Sequence, residues 1–554
     1  MVPDAGERRI GSLAGTVGVL MQLGPAVPGQ RMLIIHSGGD ARRLLPYAAL
    51  GKAFTPLGLA DGGHTALFDL LLATLWELGR PAGGEVLVAS GDVLLTFDAC
   101  GREVHRPGGV CGLAFPAEAR QASKHGVYGL GAGEGSAGQR GDRRAVKQYV
   151  QKPGVPEQAA LGLLDGGGRS WIDTGLVSLS WEACSVLLEA VGVDQATAAG
   201  DWACRPGGLM DLCLAGEVGA LDLYREFLPA LVAGAGAEGL MDQAERAGWL
   251  SASAAGREAL AGFFARVQHA VGAGLGFDVV TDEQGEFFTV GMCSDLLSRV
   301  GRTSRTAQRF GLRVWDDGPQ TLLRGHLADG VDEAVEVAGA GDGPGGVGPE
   351  GVVYAEACCL TPRADGRRAR LGGRNVVVDW QGGVPDLPAG VGLTQIRLEQ
   401  PRGGSLAVLF DLDDDHKSEV GLGAFGRLGL PGWWWAGQGL GLADLWAEGQ
   451  RQDLWHARVW PVWPGDAADE RLAFLDRFCG VLRAFREGGA GGRAEWAGAW
   501  DLPSLRAGPG VAGGVGRMSI AEALLVMDVD ACVGWREHLR QSVGRARGGL
   551  GDGA

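Results

Sequence analysis

The sequence predicts an α/β fold, with a mostly parallel sheet covered by flanking helices, followed by a β-rich module and a Trp-rich helical module. Three observations lead to this prediction. Short apolar segments alternate with helical patterns from Arg31 to about Val300. Valine-rich pieces separated by glycine and aspartate turns come next, and tryptophan dominates from Gly421 onward. We therefore expect three domains, at residues 1–302, 303–420 and 421–554, the last ending in a disordered tail.

The first domain opens its alternation with the strand "RMLIIHS", the helix "TALFDLLLATLWELG" from Thr65 to Gly79, and the strand "EVLVAS". Further strands are expected at "GLAFP", "HGVYGL", "AVKQYVQKP" and "GLVSLS". Further helices are expected at "WEACSVLLEAV", "LDLYREFLPALVAG" and "GREALAGFFARVQHAVG". Ligands of such folds bind at the carboxyl ends of the strands, so polar residues at those ends are the candidates for function.

The second and third domains have weaker patterns. Short strands at close spacing, as in "GVDEAVEVAGAGDGPGGVGPEGVVYAEACCL", predict a β-rich module that could be a left-handed β-helix, although no clean hexapeptide period is present. The tryptophans after Gly421 are expected to form a core or a domain-docking surface, because large aromatic side chains dominate buried contacts. A helical end is expected from Arg517 to Val543.

Composition and charge exclude several classes of function. The formal net charge of -16 argues against binding to nucleic acid or to an anionic membrane, because both partners require a basic surface. The ten cysteines include no CxxC pair, which favours a reducing compartment over a disulfide framework or a zinc site. No stretch is long and apolar enough to span a bilayer. We therefore expect a cytoplasmic protein.

The strongest local signal is a glycine and arginine pair behind the first strand. Gly38 and Gly39 allow the backbone to approach a phosphate closely, and Arg42, Arg43 and Lys52 supply cationic donors. We interpret this stretch as a phosphate cradle, with a solvated basic turn as the alternative. Matches to GxGxxG elsewhere, such as "GEGSAG" and "GLGAFG", are expected by chance in a chain with 98 glycines, and neither of these two follows a convincing strand.

Four further residues lie at predicted strand ends. Asp92 follows "VLVAS" in a Ser-Gly-Asp turn, where its carboxylate is either a magnesium ligand or an ordinary turn residue. Lys152 follows an alternating strand, Asp173 precedes another, and His125 stands before a tyrosine-bearing strand. Each of these three alone fits a structural role better than a functional one. Together they recur on what could be one face of the sheet.

The order of these motifs resembles that of the fucokinase and fucose-1-phosphate guanylyltransferase family, from about Ile10 to Leu539. The chain is similar to the nucleotidyltransferase half of the bifunctional fucokinase/GDP-fucose pyrophosphorylases in that family. The motifs that carry the resemblance are "HSGGDARRLLPYAALGK", "SGDVLL", "KHGVYG", "VQKP", "IDTGLVSL", "LYREF", "FFTVG", "LFDLDDDHK" and "DLWHARVWPV".

The resemblance implies a sugar-nucleotidyltransferase-like fold and the conversion of GTP and fucose 1-phosphate into GDP-fucose and pyrophosphate, with Mg²⁺ as the cofactor. It also implies that a GHMP-type fucokinase, separate or fused, is a partner. By the same resemblance, the site residues have four roles. Arg43, Lys52 and Lys152 are implied to be catalytic, and Asp92 to bind the metal. His125 and Asp173 are implied to bind the sugar. The residues implied to bind the nucleotide phosphates are Gly11, Ser12, Gly15, Gly38, Gly39 and Arg42.

The chain also departs from the family pattern. Members carry a "GSGGGT"-like loop before a helix, and the equivalent here is "GSLAGT", with Leu13 and Ala14 in place of glycines. We expect the strand that precedes this loop in the family to be missing, and we find no ATP loop of the sugar-kinase type. Three alternatives stay open: an active nucleotidyltransferase, a non-catalytic relative that binds sugar nucleotide or serves a separate fucokinase as a regulatory or structural partner, and a fragment of a bifunctional protein.

Overall fold

A computed structural model describes most of the chain. The described residues are 9–23, 29–37, 41–48, 50–60, 64–131, 143–195, 202–246, 253–289, 291–295, 305–312, 322–324, 334–337, 353–399, 403–414, 416, 418–420, 442–465, 467–488 and 517–548.

The elements up to residue 289 alternate between strands and helices. In chain order they are α1 (Gly11–Leu23), β1 (Arg31–His36), β2 (Pro56–Gly58), β3 (His64–Ala66), α2 (Leu67–Trp76), β4 (Glu85–Ser90), β5 (Val93–Thr96), β6 (Gly109–Glu118), α3 (Ala119–Ala122), β7 (Gly126–Leu130), β8 (Arg143–Gln151), α4 (Val155–Ala160), β9 (Arg169–Leu179), α5 (Trp181–Val191), β10 (Val193–Gln195), β11 (Trp202–Cys204), α6 (Leu209–Ala215), a π-helical turn (Leu223–Phe227), α7 (Leu228–Ala230), α8 (Ala237–Arg246), α9 (Ala254–Gly272), β12 (Gly276–Thr281) and β13 (Glu286–Thr289).

The later elements are mostly short strands. They are α10 (Arg305–Phe310), β14 (Leu322–Arg324), β15 (Val335–Val337), β16 (Val353–Glu356), β17 (Cys359–Leu360), β18 (Ala369–Leu371), β19 (Asn375–Val378), β20 (Gln381–Gly382), β21 (Val391–Leu398), β22 (Gly404–Asp411), α11 (Leu442–Leu445), β23 (Trp460–Trp463), α12 (Ala468–Gly488), β24 (Arg517–Met518), α13 (Ile520–Leu525) and α14 (Val529–Gly548).

The chain divides into two compact units. The first unit contains residues 1–37 and 68–288, and the second contains residues 38–67 and 289–554. Residues 38–67 thus group with later parts of the chain, to which their backbone hydrogen bonds lead. The Cys293 N–H donates to the Arg43 carbonyl oxygen at 3.2 Å, and the Ala60 N–H donates to the Gly311 carbonyl oxygen at 2.8 Å. The domain boundaries predicted at 1–302, 303–420 and 421–554 stay predictions.

The sheet of the first unit is mixed, so the prediction of a mostly parallel sheet is wrong. Its strand order is β1-β4-β9-β6-β12-β8-β7. Among the strand pairs that the structure describes, β1/β4 and β6/β12 are parallel, whereas β9 runs antiparallel to β4, β6 and β7. Parallel neighbours need a long crossover, but the antiparallel pair β7/β8 and two short helices fill the chain between β6 and β9.

Both faces of this sheet are buried. Successive side chains of a strand point to opposite faces, and those of β4 enter two different hydrophobic clusters. Val86 and Val88 pack with residues of α1, α5 and α9, whereas Leu87 and Ala89 pack with residues of α2 and β5. The flanking helices of the sequence prediction are therefore present on both faces, which explains why the strands are continuous apolar runs.

The second unit contains a sheet of order β14-β16-β19-β21-β22-β23-β24. Its first four strands are parallel neighbours, and the pairs β15/β18 and β17/β20 are also parallel. The predicted left-handed β-helix stays a prediction. Of the tryptophans after Gly421, those at 446, 455, 460 and 463 are buried, while those at 433–435 lie outside the described residues. Among the described helices, none has the length and apolar character needed to cross a membrane.

Candidate active site

The first candidate position of the first unit lies where two parallel strands end together. β1 and β4 pair so that His36 lies beside Ser90 at their carboxyl ends. The Gly91 N–H donates to the His36 carbonyl oxygen at 2.9 Å, and a Cβ on Gly91 would lie 2.8 Å from that oxygen. Ser90 Oγ donates to Asp92 Oδ1 at 2.7 Å. The half-buried carboxylate of Asp92 is therefore oriented at the end of the sheet.

Asp173 is a buried carboxylate in β9, with only 5% of its surface exposed. Its Oδ2 accepts a hydrogen bond from the Tyr149 hydroxyl at 2.6 Å, and its Oδ1 accepts one from the Gly175 N–H at 2.8 Å. Burial raises the pKa of Asp173 to about 6, although these two hydrogen bonds oppose the increase. Asp173 thus connects β8 to β9 from inside the protein. Its contact with a sugar stays a prediction.

The hydroxyl of Tyr224 joins this network. It donates to the Gly175 carbonyl oxygen at 2.8 Å. Burial raises the pKa of Tyr224 well above its ordinary value, and the negative charges of Asp173, Asp222 and Asp92 raise it further. Three carboxylates therefore lie within electrostatic range of one phenol. Such a concentration of negative charge is a suitable environment for a cation.

The π-helical turn that carries Tyr224 is rigidly held. Asp222 is its N-cap, and Oδ1 of that residue accepts from the Tyr224 N–H at 2.8 Å and from the Arg225 N–H at 3.1 Å. Glu226 is fully buried and pairs with Arg225. Burial raises the pKa of Glu226 to about 7, with the Arg225 pair opposing it. Single π-helical turns are frequent at functional sites.

The structure brings His125 and Lys152 together. Gly126 is opposite Gln151 in the antiparallel pair of β7 and β8. His125 directly precedes Gly126 and Lys152 directly follows Gln151, so the two residues are neighbours across the strand pair. The Lys152 N–H donates to the His125 carbonyl oxygen at 2.9 Å. Lys152 has a φ of +51° although it is not glycine. Such backbone conformations carry a cost and cluster at functional sites.

Gln151 connects Lys152 to the buried network. Its Nε2 donates to the Tyr149 hydroxyl at 2.9 Å and to the Tyr224 carbonyl oxygen at 3.0 Å. Gly126 leaves room for this arrangement, because a Cβ there would lie 2.3 Å from the Tyr149 hydroxyl oxygen. The end of β8 and the middle of β9 are thereby joined to the π-helical turn by hydrogen bonds.

The "GSLAGT" segment, Gly11 to Thr16, forms the first part of α1 instead of a separate loop. Leu13 and Ala14 are completely buried in the core and have ordinary φ values, unlike Gly11 at +87°. The Leu13 N–H donates to the Leu221 carbonyl oxygen at 3.0 Å. Ser12 Oγ accepts from the Leu223 N–H at 2.8 Å. This segment therefore packs against the chain just before Tyr224.

The rest of α1 faces the end of β1. Thr16 Oγ1 donates to the Ser12 carbonyl oxygen at 2.9 Å and also lies 2.9 Å from His36 Nε2. Gly15, which precedes Thr16 in the sequence, is half-buried. Nucleotide-phosphate binding by Gly11, Ser12 and Gly15 stays a prediction.

The phosphate cradle belongs to the second unit. Gly38 and Gly39 lie outside the described residues. Arg42 and Arg43 occupy a turn directly after them, and Lys52 begins a short 3₁₀ helix behind Gly51, whose φ is +78°. All three cationic side chains are half-buried. Phosphate binding by these residues also stays a prediction.

A sequence model of the fucose pyrophosphorylase domain matches residues 27–313, just over half of the 554-residue chain. The chain belongs to the fucose pyrophosphorylase family. The family assignment made from the motifs is thereby confirmed. The matched residues include every predicted site residue except Gly11, Ser12 and Gly15.

Two known proteins show the extent of the similarity. A bifunctional fucokinase/GDP-fucose pyrophosphorylase of Arabidopsis thaliana is 29% identical over 264 residues, which are 42% of this chain and 23% of that protein. The match thus spans less than a quarter of the relative's length. The solved structure of a UTP-bound UGPase from Acinetobacter baumannii covers 51% of this chain and 96% of its own, with a TM-score of 0.27 and 8% identity.

Sequence reasoning missed three residues of the network in this fucose pyrophosphorylase domain, which are Tyr149, Gln151 and Tyr224. Tyr149 and Gln151 are two residues apart in β8 and therefore point to the same face of the sheet, while Val150 between them packs against a separate apolar cluster. Tyr224 lies in the family motif "LYREF", to which the sequence alone assigns no functional residue. A tyrosine shortly after an aspartate that can cap a helix was the one local hint of Tyr224. The hydrogen bond from its hydroxyl to the Gly175 carbonyl oxygen could not be predicted, because Gly175 is distant in the sequence.

Proposed function

We propose that this chain is a nucleotidyltransferase that converts GTP and fucose 1-phosphate into GDP-fucose and pyrophosphate. The observation that carries the proposal is the hydrogen-bonded network around Tyr224, which joins Asp173 and Gly175 in the middle of β9 to Gln151 at the end of β8 inside the fucose pyrophosphorylase domain. The negative charge of Asp92 acts on the same phenol. The nucleotide and the sugar come from the family motifs and from the name of the Arabidopsis relative.

The reaction requires no nucleophile from the protein. The second pKa of a phosphate monoester is about 6, so fucose 1-phosphate already carries an ionised attacking oxygen near neutral pH. The tasks that remain are positioning and neutralisation of charge. Lys152 is exposed on a backbone held by the His125 carbonyl oxygen, which suits an ammonium that binds the sugar phosphate. We assign the sugar itself to His125 and Asp173.

Arg43 and Lys52 are proposed to stabilise the leaving pyrophosphate. A guanidinium binds two phosphate oxygens at once, and an ammonium adds a point charge. Both residues lie close to Gly38 and Gly39 in the sequence. Neither residue exchanges a proton in this scheme, so their removal should lower the rate and the affinity for GTP together.

Asp92 fits a magnesium site. Magnesium is usually bound through one or two carboxylates together with substrate phosphates and water, so a three-ligand protein cage is not required. Among the described residues, no group of three or more His, Cys, Asp or Glu side chains could hold a metal. The carboxylate of Asp92, which accepts a hydrogen bond from Ser90 Oγ and raises the pKa of Tyr224 by its negative charge, is consistent with that chemistry. When bound, the ion would neutralise charge on the phosphate under attack.

The test is release of pyrophosphate from GTP and fucose 1-phosphate by the purified chain in the presence of magnesium. We expect Asp92→Asn to abolish release while leaving the melting temperature within a few degrees. Asp194→Asn is the matched control, because this exposed carboxylate pairs with Arg205 on a surface hairpin. A folded wild-type chain that releases no pyrophosphate from any pairing of a nucleoside triphosphate with a hexose 1-phosphate would refute the proposal.

One observation favours a second candidate, a non-catalytic protein that binds sugar nucleotide. Leu13 and Ala14 are buried in the core, and Ser12 Oγ is already engaged by the Leu223 N–H. The segment that resembles the family's glycine-rich loop is thus committed to packing. Binding of GDP-fucose without pyrophosphate release would support this candidate and would direct the search toward a separate fucokinase as its partner.

A further inference from the structure

Asp453 is a completely buried carboxylate in the second unit, within the motif "DLWHARVWPV". Its Oδ1 accepts two hydrogen bonds from His456, one from the backbone N–H at 2.9 Å and one from Nδ1 at 2.7 Å. Its carbonyl oxygen accepts from Trp446 Nε1 at 2.9 Å. One carboxylate oxygen and the backbone of Asp453 are therefore held in place by neighbouring residues of the same segment.

The other oxygen of Asp453 faces two guanidinium groups. Oδ2 lies 3.6 Å from Arg42 Nη1 and 3.7 Å from Arg451 Nε, and it has no hydrogen-bond partner in the described part of the chain. A buried carboxylate without a cation is costly, so these charges stabilise it. Arg42 also lies over the ring of Trp455, with 5.3 Å between the guanidinium carbon and the ring centroid. The guanidinium of Arg42 is thus held by a charge and by an aromatic face.

Arg43 differs from its neighbour. Its carbonyl oxygen accepts from the Cys293 N–H at 3.2 Å, whereas its guanidinium makes no ion pair with any residue that the structure describes. The two arginines are consecutive in one turn. A restraint on the side chain of Arg42 therefore also restrains the backbone from which Arg43 extends.

We propose that Arg42 is a positioning residue, held by Asp453 and Trp455, and that Arg43 is the arginine that binds the nucleotide's phosphates. This inference rests on the proposed function, because it assumes a phosphate ligand at the cradle, and it reassigns one residue of that site. A preorganised donor loses less conformational entropy on binding, so the restraint raises affinity without a direct contact. Arg42 contributes to phosphate binding only through Arg43.

The experiment is a double-mutant cycle on ligand affinity in the full chain. The dissociation constants of magnesium-GTP and of inorganic pyrophosphate are measured by calorimetry for wild type, Arg42→Ala, Arg43→Ala and the double variant. We expect Arg43→Ala to weaken binding about 10- to 100-fold, as for loss of a charge-assisted pair. Arg42→Ala should weaken it severalfold in wild type and hardly at all in the Arg43→Ala background.

Further variants link the effect to Asp453 and guard against misfolding. Asp453→Asn should weaken binding as Arg42→Ala does, and the two changes together should be no worse than either alone. Because removing a buried charge can unfold the chain, Arg42→Lys and Trp455→Phe serve as milder variants, and Arg42→Lys should partly restore affinity. Arg458→Lys is the control, since this arginine of the same motif pairs with Glu522.

The outcomes separate this inference from the proposed function. Equal weakening by Arg42→Ala in both backgrounds would make Arg42 a direct ligand and overturn the inference. So would unchanged affinity in a folded Asp453→Asn variant, or failure of the wild type to bind either ligand. A wild type that binds GTP with the expected coupling but releases no pyrophosphate would refute the proposed function and leave the inference standing.

Discussion

Among single residues, Asp173 is costly to ionise in the folded protein, because its carboxylate is buried and makes no ion pair with a described residue. Its pKa is raised to about 6 by desolvation, above the ordinary value of an aspartate. The folded state therefore binds this proton more tightly than the unfolded state does. The proton bound to Asp173 therefore contributes to the free energy of unfolding at low pH, and this contribution is lost as the pH rises toward 6.

The prediction compares wild type with Asp173→Asn, which cannot titrate. The difference in unfolding free energy, wild type minus variant, should fall by about 2–3 kcal/mol between pH 4 and 6.5 and stay flat above that. Urea denaturation across this range measures it. Asp165→Asn is the control, because backbone hydrogen bonds from Arg169 and Gly167 lower the pKa of that half-buried carboxyl. A difference that does not change with pH would contradict the raised pKa of Asp173.

Lys152 is the second residue with a measurable cost, since a φ of +51° strains any residue that has a Cβ. Lys152→Ala keeps this strain and Lys152→Gly removes it, so the glycine variant should be more stable than the alanine variant by about 1 kcal/mol. Both should lose most activity toward fucose 1-phosphate. At the exposed Lys147 in β8, the order of stability should be reversed, because glycine weakens a strand. The same order at both sites, measured by urea denaturation, would refute the strain at Lys152.

At the scale of elements, much of the first unit could be predicted from apolar pattern and end signals. The helix α5 has the predicted bounds, Trp181–Val191, because Ser180 caps its first turn and Gly192 ends it in the left-handed conformation. The strand β4 also has its predicted bounds, Glu85–Ser90. The predicted helix around "LYREF" was only partly correct, because a cap at Asp222 and the buried Glu226 produce a π-helical turn that periodicity does not reveal.

The contact between α1 and the segment before Tyr224 depends on one glycine. A Cβ on Gly11 would lie 2.2 Å from the Leu221 carbonyl oxygen, and the φ of +87° is unfavourable for other residues. Gly11→Ala should therefore destabilise the protein by about 2 kcal/mol or more. Gly18 lies in the same helix, and a Cβ there would have no described atom within 4 Å. Gly18→Ala should be neutral or stabilising by up to about 1 kcal/mol. Equal effects in denaturation would contradict the close approach at Gly11.

At the scale of the whole molecule, two features lay beyond sequence reasoning. The strand order of the mixed sheet depends on the insertion of the antiparallel β9 between β4 and β6, and local sequence pattern carries no information about that position. The membership of residues 38–67 in the second unit depends on contacts with partners such as Cys293 and Asp453, far along the chain. Charged and glycine residues marked this segment as functional, but nothing local indicated which unit it joins.

This grouping predicts how a fragment of residues 1–313, ending where the family match ends, will behave. The first unit has its own core, built from residues such as Val88, Val177 and Phe263, so its sheet should fold in the fragment. Residues 41–58 would lack Asp453 and Trp455 and should exchange backbone hydrogen faster than in the full chain.

Hydrogen exchange followed by mass spectrometry measures both parts of this prediction in one sample. Peptides from β4 and β9 serve as the internal control and should keep the protection that they have in the full chain. Equal protection of residues 41–58 in fragment and full chain would contradict their dependence on the second unit. Loss of protection in β4 and β9 would contradict the independent core of the first unit, which is the premise for assigning the network around Tyr224 to that unit alone.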